Sequence, residues 1–394
     1  MTTTIATTNT LFGGTMMSPI VDPYTVYKRL RDEQPAVPVN SMMGVNYMIT
    51  RYDDVMVVLK DAKTFSSRAN ARGIGLVMGR TILEMEGKEH IRHRSLITPF
   101  FSPRAMKADM PAVVARIVHG LIDEFAGAGH ADLVHQLTYT FPMQVMAWII
   151  GIPVSDYHAF HRMALDLISV GDDPARGFQA AQDLVTYLTP LMEQRRAEPT
   201  ADLLSKVVHA EVEGNRLTEE EILGFLRLLL PAGAETTYRL TGSCLFAMLT
   251  HPEVYEEVRA DRSAIEPLIQ ETLRWESPVQ FVSREPTEDV EISGHPVPAG
   301  GMLSVVVGSA NRDERHYANP DRFELHRKND DHLAFGFGPH FCAGSHLGLL
   351  EARIALNALL DRLPNLRLDP AEECHVVGLA FRSPDRLPVL FDPQ

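Results

Sequence analysis

The sequence predicts a mainly α chain with small β-sheets attached (α+β), folded as a single domain. Three observations lead there. Apolar residues recur at helical spacing over most of the 394 residues, strand-like alternation is confined to short pieces, and neither an internal repeat nor a low-complexity linker divides the chain. In order, the spacing predicts helices over 23–34, 52–60, 88–98, 103–127, 131–150, 155–170, 175–195, 200–213, 219–250, 252–260, 264–275 and 344–361. Strands are expected over 36–40, 45–50, 281–284, 289–292 and 302–306, with a further pair within 374–391. The Thr-rich start reads as a flexible tail over 1–19, leaving 20–394 as the folded domain.

The helix over 219–250 is the best marked. Thr218-Glu219-Glu220-Glu221 fits a capping box, with Thr218 as N-cap and Glu221 reaching back to it. His251-Pro252 opens the next element. Between them, ILGFLRLLLPAGAETT is apolar on nearly every side, which makes this helix central. Pro231 removes a backbone donor in its middle and disfavours a straight helix, a kind of break that often lies beside a functional site.

Composition bounds the function. The chain is 45% apolar and 22% charged, as globular proteins are, and carries a formal charge of −14. That balance argues against nucleic acid as the main partner. Cys244, Cys342 and Cys374 are too few and too scattered for a disulfide framework, which points to a reducing, cytoplasmic setting. The N-terminus lacks the pattern of a signal peptide, and no apolar run reaches the ~18 residues a membrane anchor needs.

The stretch FGFGPHFCAG, residues 335–344, carries the chemistry. A dinucleotide loop would need glycine where Phe341 stands, and no phosphate-loop pattern occurs. A zinc reading would use His340, Cys342 and His346 with Glu351 nearby, at unusual spacing and among phenylalanines. The plainest reading is a glycine turn holding a buried free cysteine. The fourth is a heme thiolate. Cys342 stands just before the helix over 344–361, whose first amides and positive dipole end would stabilise a sulfur anion. Gly338 and Gly344 let the backbone approach a flat ligand, and Phe335 can shield the sulfur from water.

The phenylalanine, glycine, cysteine and glycine of this loop resemble the heme-binding loop of the cytochrome P-450 family, whose fold is a single triangular, mostly helical domain. The resemblance runs over about residues 20–391, with six motifs in the family's order. Glu271-Thr272-Leu273-Arg274 matches its Glu-x-x-Arg pair, one helical face apart. Asn319-Pro320-Asp321-Arg322-Phe323 resembles the segment that supplies a third member, so the family implies a buried Glu271–Arg274–Arg322 network. His90 and Arg94 lie four apart on one helix face. With Arg284 and His340 they are implied to hold the two heme propionates, in the bacterial variant of a pattern that elsewhere begins with tryptophan. Ala232-Gly233-Ala234-Glu235-Thr236-Thr237 matches the acid–alcohol motif. It gives Glu235 as the proton relay and Thr236 as the donor to oxygen; the plain alternative is a back-bonding threonine pair.

By the same resemblance the cofactor is heme b, with Phe335 and Gly344 beside it and Cys342 on the iron. The reaction is insertion of one oxygen atom from O2 into a largely apolar small molecule. Electrons come from a ferredoxin and its reductase, which dock near Cys342 at Arg92, Arg104, Lys107 and Arg353. The substrate pocket is expected to draw on the loop 68–86, on Leu229, Leu230 and Ala232, on Val279, Gln280, Phe281 and Val282, and on Gly378, Leu379, Ala380 and Phe381. Gln280 is the one polar group there placed to orient a substrate. Two rival classes stay open at this stage: a peroxide-driven heme-thiolate enzyme, and a non-catalytic heme sensor.

Overall fold

A computed structural model describes residues 5–41, 44–212, 214–328 and 331–393. Its axis is the central helix Glu219–Thr250. Thr218 caps it as expected: the hydroxyl accepts from the Glu221 amide, and the Glu221 carboxylate accepts from the Thr218 amide at 2.8 Å. Pro231 is buried within the helix and does not end it. Leu226, Leu230, Leu245 and Met248 have no appreciable exposure, so the helix is walled on all sides. The helices Phe141–Ile150, Tyr157–Ile168, Ile265–Trp275 and Ser345–Arg362 pack around it.

A six-stranded mixed sheet flanks this bundle. Its order runs Ala6–Thr7, Ala36–Ser41, Gly44–Ile49, Met302–Val305, Val282–Pro286 and Phe65–Ser66. The first two strands run parallel, the second and third form an antiparallel hairpin, and Leu303 stands opposite Arg284 in register. A hairpin of Val376–Val377 with Ser383–Pro384 and a single bridge between Val279 and Phe381 bring the C-terminal segment to the same region.

Most expected elements appear within a few residues of their predicted bounds. Three long ones are shorter than the periodicity implied. The helix expected over 103–127 spans Met110–Asp123, with Pro111 in its first turn. The segment 131–150 begins as a strand, His130–Asp132, paired with Pro388–Leu390. It continues as a π-helical turn, and becomes α-helical only at Phe141. The segment 200–213 holds the short helix Leu203–Val208, capped by Asp202, followed by strand Glu211–Val212. Strand pairing, a cap or, over 103–127, a proline in the first turn interrupts a run whose local pattern is helical.

The expected loose tail over 1–19 is corrected for its described part. Thr7 and Thr10 form a reciprocal cap on the helix Thr8–Phe12. Phe12 is buried against Tyr27 at 5.6 Å between ring centroids, and the Ala380 amide donates to the Met16 carbonyl at 3.0 Å. Residues 1–4 lie outside the described residues.

Candidate active site

The cysteine loop is shaped by its glycines. Gly336 and Gly338 have φ of 71° and 75°, the left-handed region that side chains resist. A Cβ on Gly338 would also stand 2.8 Å from the Leu59 carbonyl oxygen. The turn closes when the Cys342 amide donates to the Phe335 carbonyl at 2.9 Å. Gly344 then caps the helix Ser345–Arg362. Burial pushes the Cys342 thiol up, while the amides of Gly344 and Ser345 and the charge of Arg94 pull it back. Cys342 is exposed, as are Phe337 and Phe341, both about 40%.

The central helix, buried almost throughout, opens at one place. Ala232 is exposed and Thr236 half-buried, one turn apart on the same face. The Thr236 hydroxyl donates back to the Ala232 carbonyl at 2.9 Å. Glu235, only 3% exposed, turns to the other side, where Arg239 grips one carboxylate oxygen and Tyr238 donates to it at 3.4 Å. The cysteine helix approaches closely here: a Cβ on Gly348 would lie 3.6 Å from the Thr237 hydroxyl. Glu351, on that same helix, is fully buried with neither carboxylate oxygen hydrogen-bonded; burial holds its pKa well above the usual range, eased by Thr237. No group of three His, Cys, Asp or Glu side chains among the described residues is placed to hold a metal, which leaves the zinc reading without a ligand set.

His90, His340 and Arg284 gather around Glu86. The two imidazoles lie 4.2 Å apart, and Nε2 of His90 is buried without a partner. Burial, then the charges of His340 and Arg94, take His90 down to about 4. Arg284 is 6% exposed and is lowered by burial to about 10, with Glu86 opposing. His340 contacts Glu86 at 3.3 Å. A buried imidazole nitrogen without a partner and a desolvated guanidinium, sharing the one carboxylate of Glu86, suit a ligand that brings carboxylates of its own. Arg94 is placed differently from the expectation: its guanidinium donates to the carbonyls of Pro339 and Phe341, bracing the cysteine loop.

Behind the loop, Arg274 binds Glu271 through two nitrogens at 2.8 and 2.7 Å, with both side chains wholly buried. The third member is Arg327, whose Nε lies 3.1 Å from Glu271. Arg322 gives only its carbonyl, which accepts from Arg274 at 3.2 Å, and its side chain is exposed because the turn from Asn319 points it outward. The expected Arg322 is thus corrected to Arg327.

The pocket expectation divides. Ala232, Val279, Phe281 and Val282 keep exposed surface, as pocket walls should. Leu230 and Leu379 have 0% and 1% exposure and belong to the packed core, and Leu229 and Ala380 are almost as closed. Gln280 is withdrawn as a substrate contact. It is wholly buried, its amide nitrogen donates to the Ser277 carbonyl at 2.8 Å, and its oxygen lies where any Cβ on Gly308 would stand.

A mostly helical domain in which one cysteine heads a long helix, facing an opened turn of a central helix and flanked by desolvated imidazole and guanidinium groups, is the architecture of a thiolate-ligated heme protein. The Cytochrome P450 family model matches residues 155–373. The chain is 37% identical to cytochrome P450 monooxygenase PikC of Streptomyces venezuelae, over 88% of this chain and 85% of that one. It is 34% identical to cytochrome P450 107B1 of Saccharopolyspora erythraea, over 93% and 95%. The crystal structure of P450BioI, in complex with acyl carrier protein ligated to hexadec-9Z-enoic acid, superposes with a TM-score of 0.86 at 31% identity, covering 94% of this chain and 99% of that one. The chain belongs to the cytochrome P450 family. It is a monooxygenase whose cofactor is heme b. No helix among the described residues is long and apolar enough to cross a membrane.

Proposed function

We propose that Cys342 is the axial ligand of the heme and that the cleft between it and Ala232–Thr236 inserts oxygen into a largely apolar small molecule. The observation that carries this reading is the place of Cys342, an exposed cysteine held by the turn to Phe335 directly before the N-terminus of the helix Ser345–Arg362. His90, Arg284 and His340 would take the propionates, giving the buried Nε2 of His90 a partner. The Phe335 and Phe341 rings lie 6.2 Å apart in the loop whose turn the Cys342 amide closes. Heme bound there supplies oxygen activation, with substrate, O2, two electrons and two protons giving hydroxylated product and water.

The residues then divide the remaining work. Ala232, Val279, Phe281 and Val282 exclude water and hold apolar carbon against the cleft. Thr236 turns its hydroxyl from the Ala232 carbonyl into the cleft to pass a proton, and Glu235 resupplies it. The long acyl chain held by the similar P450BioI supports an apolar substrate. Electrons come from a ferredoxin with its reductase. The exposed Arg104, Lys107 and Arg353, with Arg92, belong to elements that pack together beside the cysteine helix and offer such a protein a basic dock.

Cys342→Ser removes the sulfur and leaves the loop's turn in place. The reduced CO complex should lose the long-wavelength Soret band of a thiolate ligand; a band unchanged in the variant would overturn the assignment. Thr236→Ala should keep heme and substrate binding while releasing most electrons as peroxide. An unchanged yield of product per electron would remove Thr236 from proton delivery.

A further inference from the structure

The wall that carries Val279, Phe281 and Val282 hangs at its head on the C-terminal segment. The Gln280 amide donates to the Ala380 carbonyl at 2.9 Å, and the Arg382 amide donates to the Pro278 carbonyl at 3.0 Å. Between these bonds lies the single bridge of Val279 with Phe381. Where residues 380–382 stand therefore decides where the wall stands.

One side chain holds that segment. Arg382 is 1% exposed. Its Nε donates to Glu276 at 2.7 Å. One terminal nitrogen donates to the carbonyls of Ile20 and Gly378 at 2.8 and 2.6 Å, the other to those of Val21 and Val376 at 3.0 and 3.4 Å. Every N–H of the guanidinium thus has an acceptor, and the carbonyls come in equal number from the two ends of the chain. Burial works against the Arg382 charge, but the field of Glu276 outweighs it. Glu276 follows the helix Ile265–Trp275 directly ahead of the wall, and the Tyr24 hydroxyl donates to it at 2.5 Å.

The N-terminal segment completes the backing. Residues 16–21 lie in neither helix nor strand. The Gly378 amide donates to the Ile20 carbonyl at 2.9 Å, beside the bond of Ala380 to Met16. Met16, Ile20 and Phe281 all pack on the buried cluster of Phe12 and Tyr27. A lysine in place of Arg382 would bring its donors from a single point and could not span both chain ends.

We propose that Arg382 is a specificity-determining positioning residue: it fixes the pocket wall from behind, with the N-terminal segment as its abutment, and so sets how large a molecule the cleft admits. The inference rests on the cleft assigned under the proposed function. Arg382 stays buried behind the wall and acts through Val279, Phe281 and Val282.

The test uses heme-loaded full-length protein and two azoles, imidazole and the bulky clotrimazole, whose nitrogen ligates the iron and shifts the Soret band. Imidazole is too small to press on the wall; clotrimazole fills the space above the heme. Arg382→Lys keeps a charge for Glu276 and gives up the reach to both chain ends. The ratio of clotrimazole to imidazole affinity should move by about tenfold or more, the discrimination that a methylene-sized change in an apolar pocket carries. A smaller shift overturns the proposal. Phe12→Ala loosens the same end of the fold and leaves the bonds of Arg382 in place, so its ratio should stay near the parent's. A shift in F12A as large as that in R382K would make Arg382 a stabilising residue only and would also overturn the proposal. If R382K does not fold, Glu276→Gln weakens the grip on Nε and is held to the same criterion. The CO Soret band of each sample separates the two readings: where it keeps the thiolate position, a failure is confined to Arg382. A parent protein without that band would instead sink the heme-thiolate reading itself.

Discussion

Arg322 and Arg327 stand on one turn-rich segment, and only Arg327 reaches Glu271. The family's pattern made Arg322 the natural candidate, because it sits inside the matching Asn-Pro-Asp-Arg-Phe run. What the sequence could not disclose is the direction of the turn, which is set by the Arg322 amide bonding to Asn319 and by the Glu324 amide bonding to Glu271 at 2.9 Å. The two arginines are therefore expected to behave differently. Arg327→Leu strands part of a carboxylate with no exposure and should cost on the order of 3 kcal/mol. Arg322→Leu changes an exposed side chain and should stay within about 0.5 kcal/mol. Urea midpoints and heme retention on dilution measure both; equal effects would contradict the geometry. The Glu271–Arg274 pair was legible because it lies in a short run whose spacing has a chemical reason, and Cys342, Glu235 and Thr236 were read as candidates from runs of the same kind. Gln280 was misread for the opposite reason: an amide beside apolar neighbours looks the same in sequence whether it lines a pocket or knots the backbone behind one.

The central helix shows why some elements were read to the residue and others not. Its capping box and the His251-Pro252 stop are local signals, and local signals survive folding. The segments 131–150 and 200–213 carry helical periodicity too, but strand pairing with Pro388–Leu390 and the Asp202 cap redraw their ends. Two glycines in the central helix separate packing from propensity. A Cβ on Gly233 would meet the buried Met146 side chain at 2.3–3.0 Å, where Phe141–Ile150 crosses. Gly233→Val should overpack that crossing and cost about 1–3 kcal/mol. At Gly242 a Cβ finds only ordinary contacts, 3.7 Å to Pro384 and 3.8 Å to Thr138. Gly242→Ala should be neutral or stabilising by about 0.5–1 kcal/mol, since it removes a glycine from a helix interior. Thermal melting of the two variants reports the contrast; a stable G233V protein would mean the crossing gives way easily.

At the scale of the molecule, what was least legible is how remote segments close the structure. The Thr-rich first ten residues look like a tail, yet Phe12 joins Tyr27, Leu30 and Leu379 in a buried cluster. Phe12→Ala should therefore cost about 2–4 kcal/mol by urea titration, where a loose tail would cost nothing. Burial of this kind also sets how the whole fold answers to acid. His161 is 8% exposed, lies against the tilted ring of Tyr139 at 4.1 Å, and is taken by burial, and next by His158, down to about 4. Its pKa in the folded chain thus lies below its ordinary 6.5, so between those values the unfolded chain binds more protons. Stability is complete above about 6.5 and drains away as pH falls toward 4, by roughly 3 kcal/mol for this one group. His332, lowered by burial to about 4, acts in the same window, and His90 joins it where no cofactor carboxylate compensates. His161→Phe keeps the ring stack and removes the proton, so its melting temperature should fall less steeply between pH 6.5 and 4 than that of the parent. Calorimetry across that range decides it: parallel acid limbs would show that His161 does not hold itself neutral at the cost of acid stability.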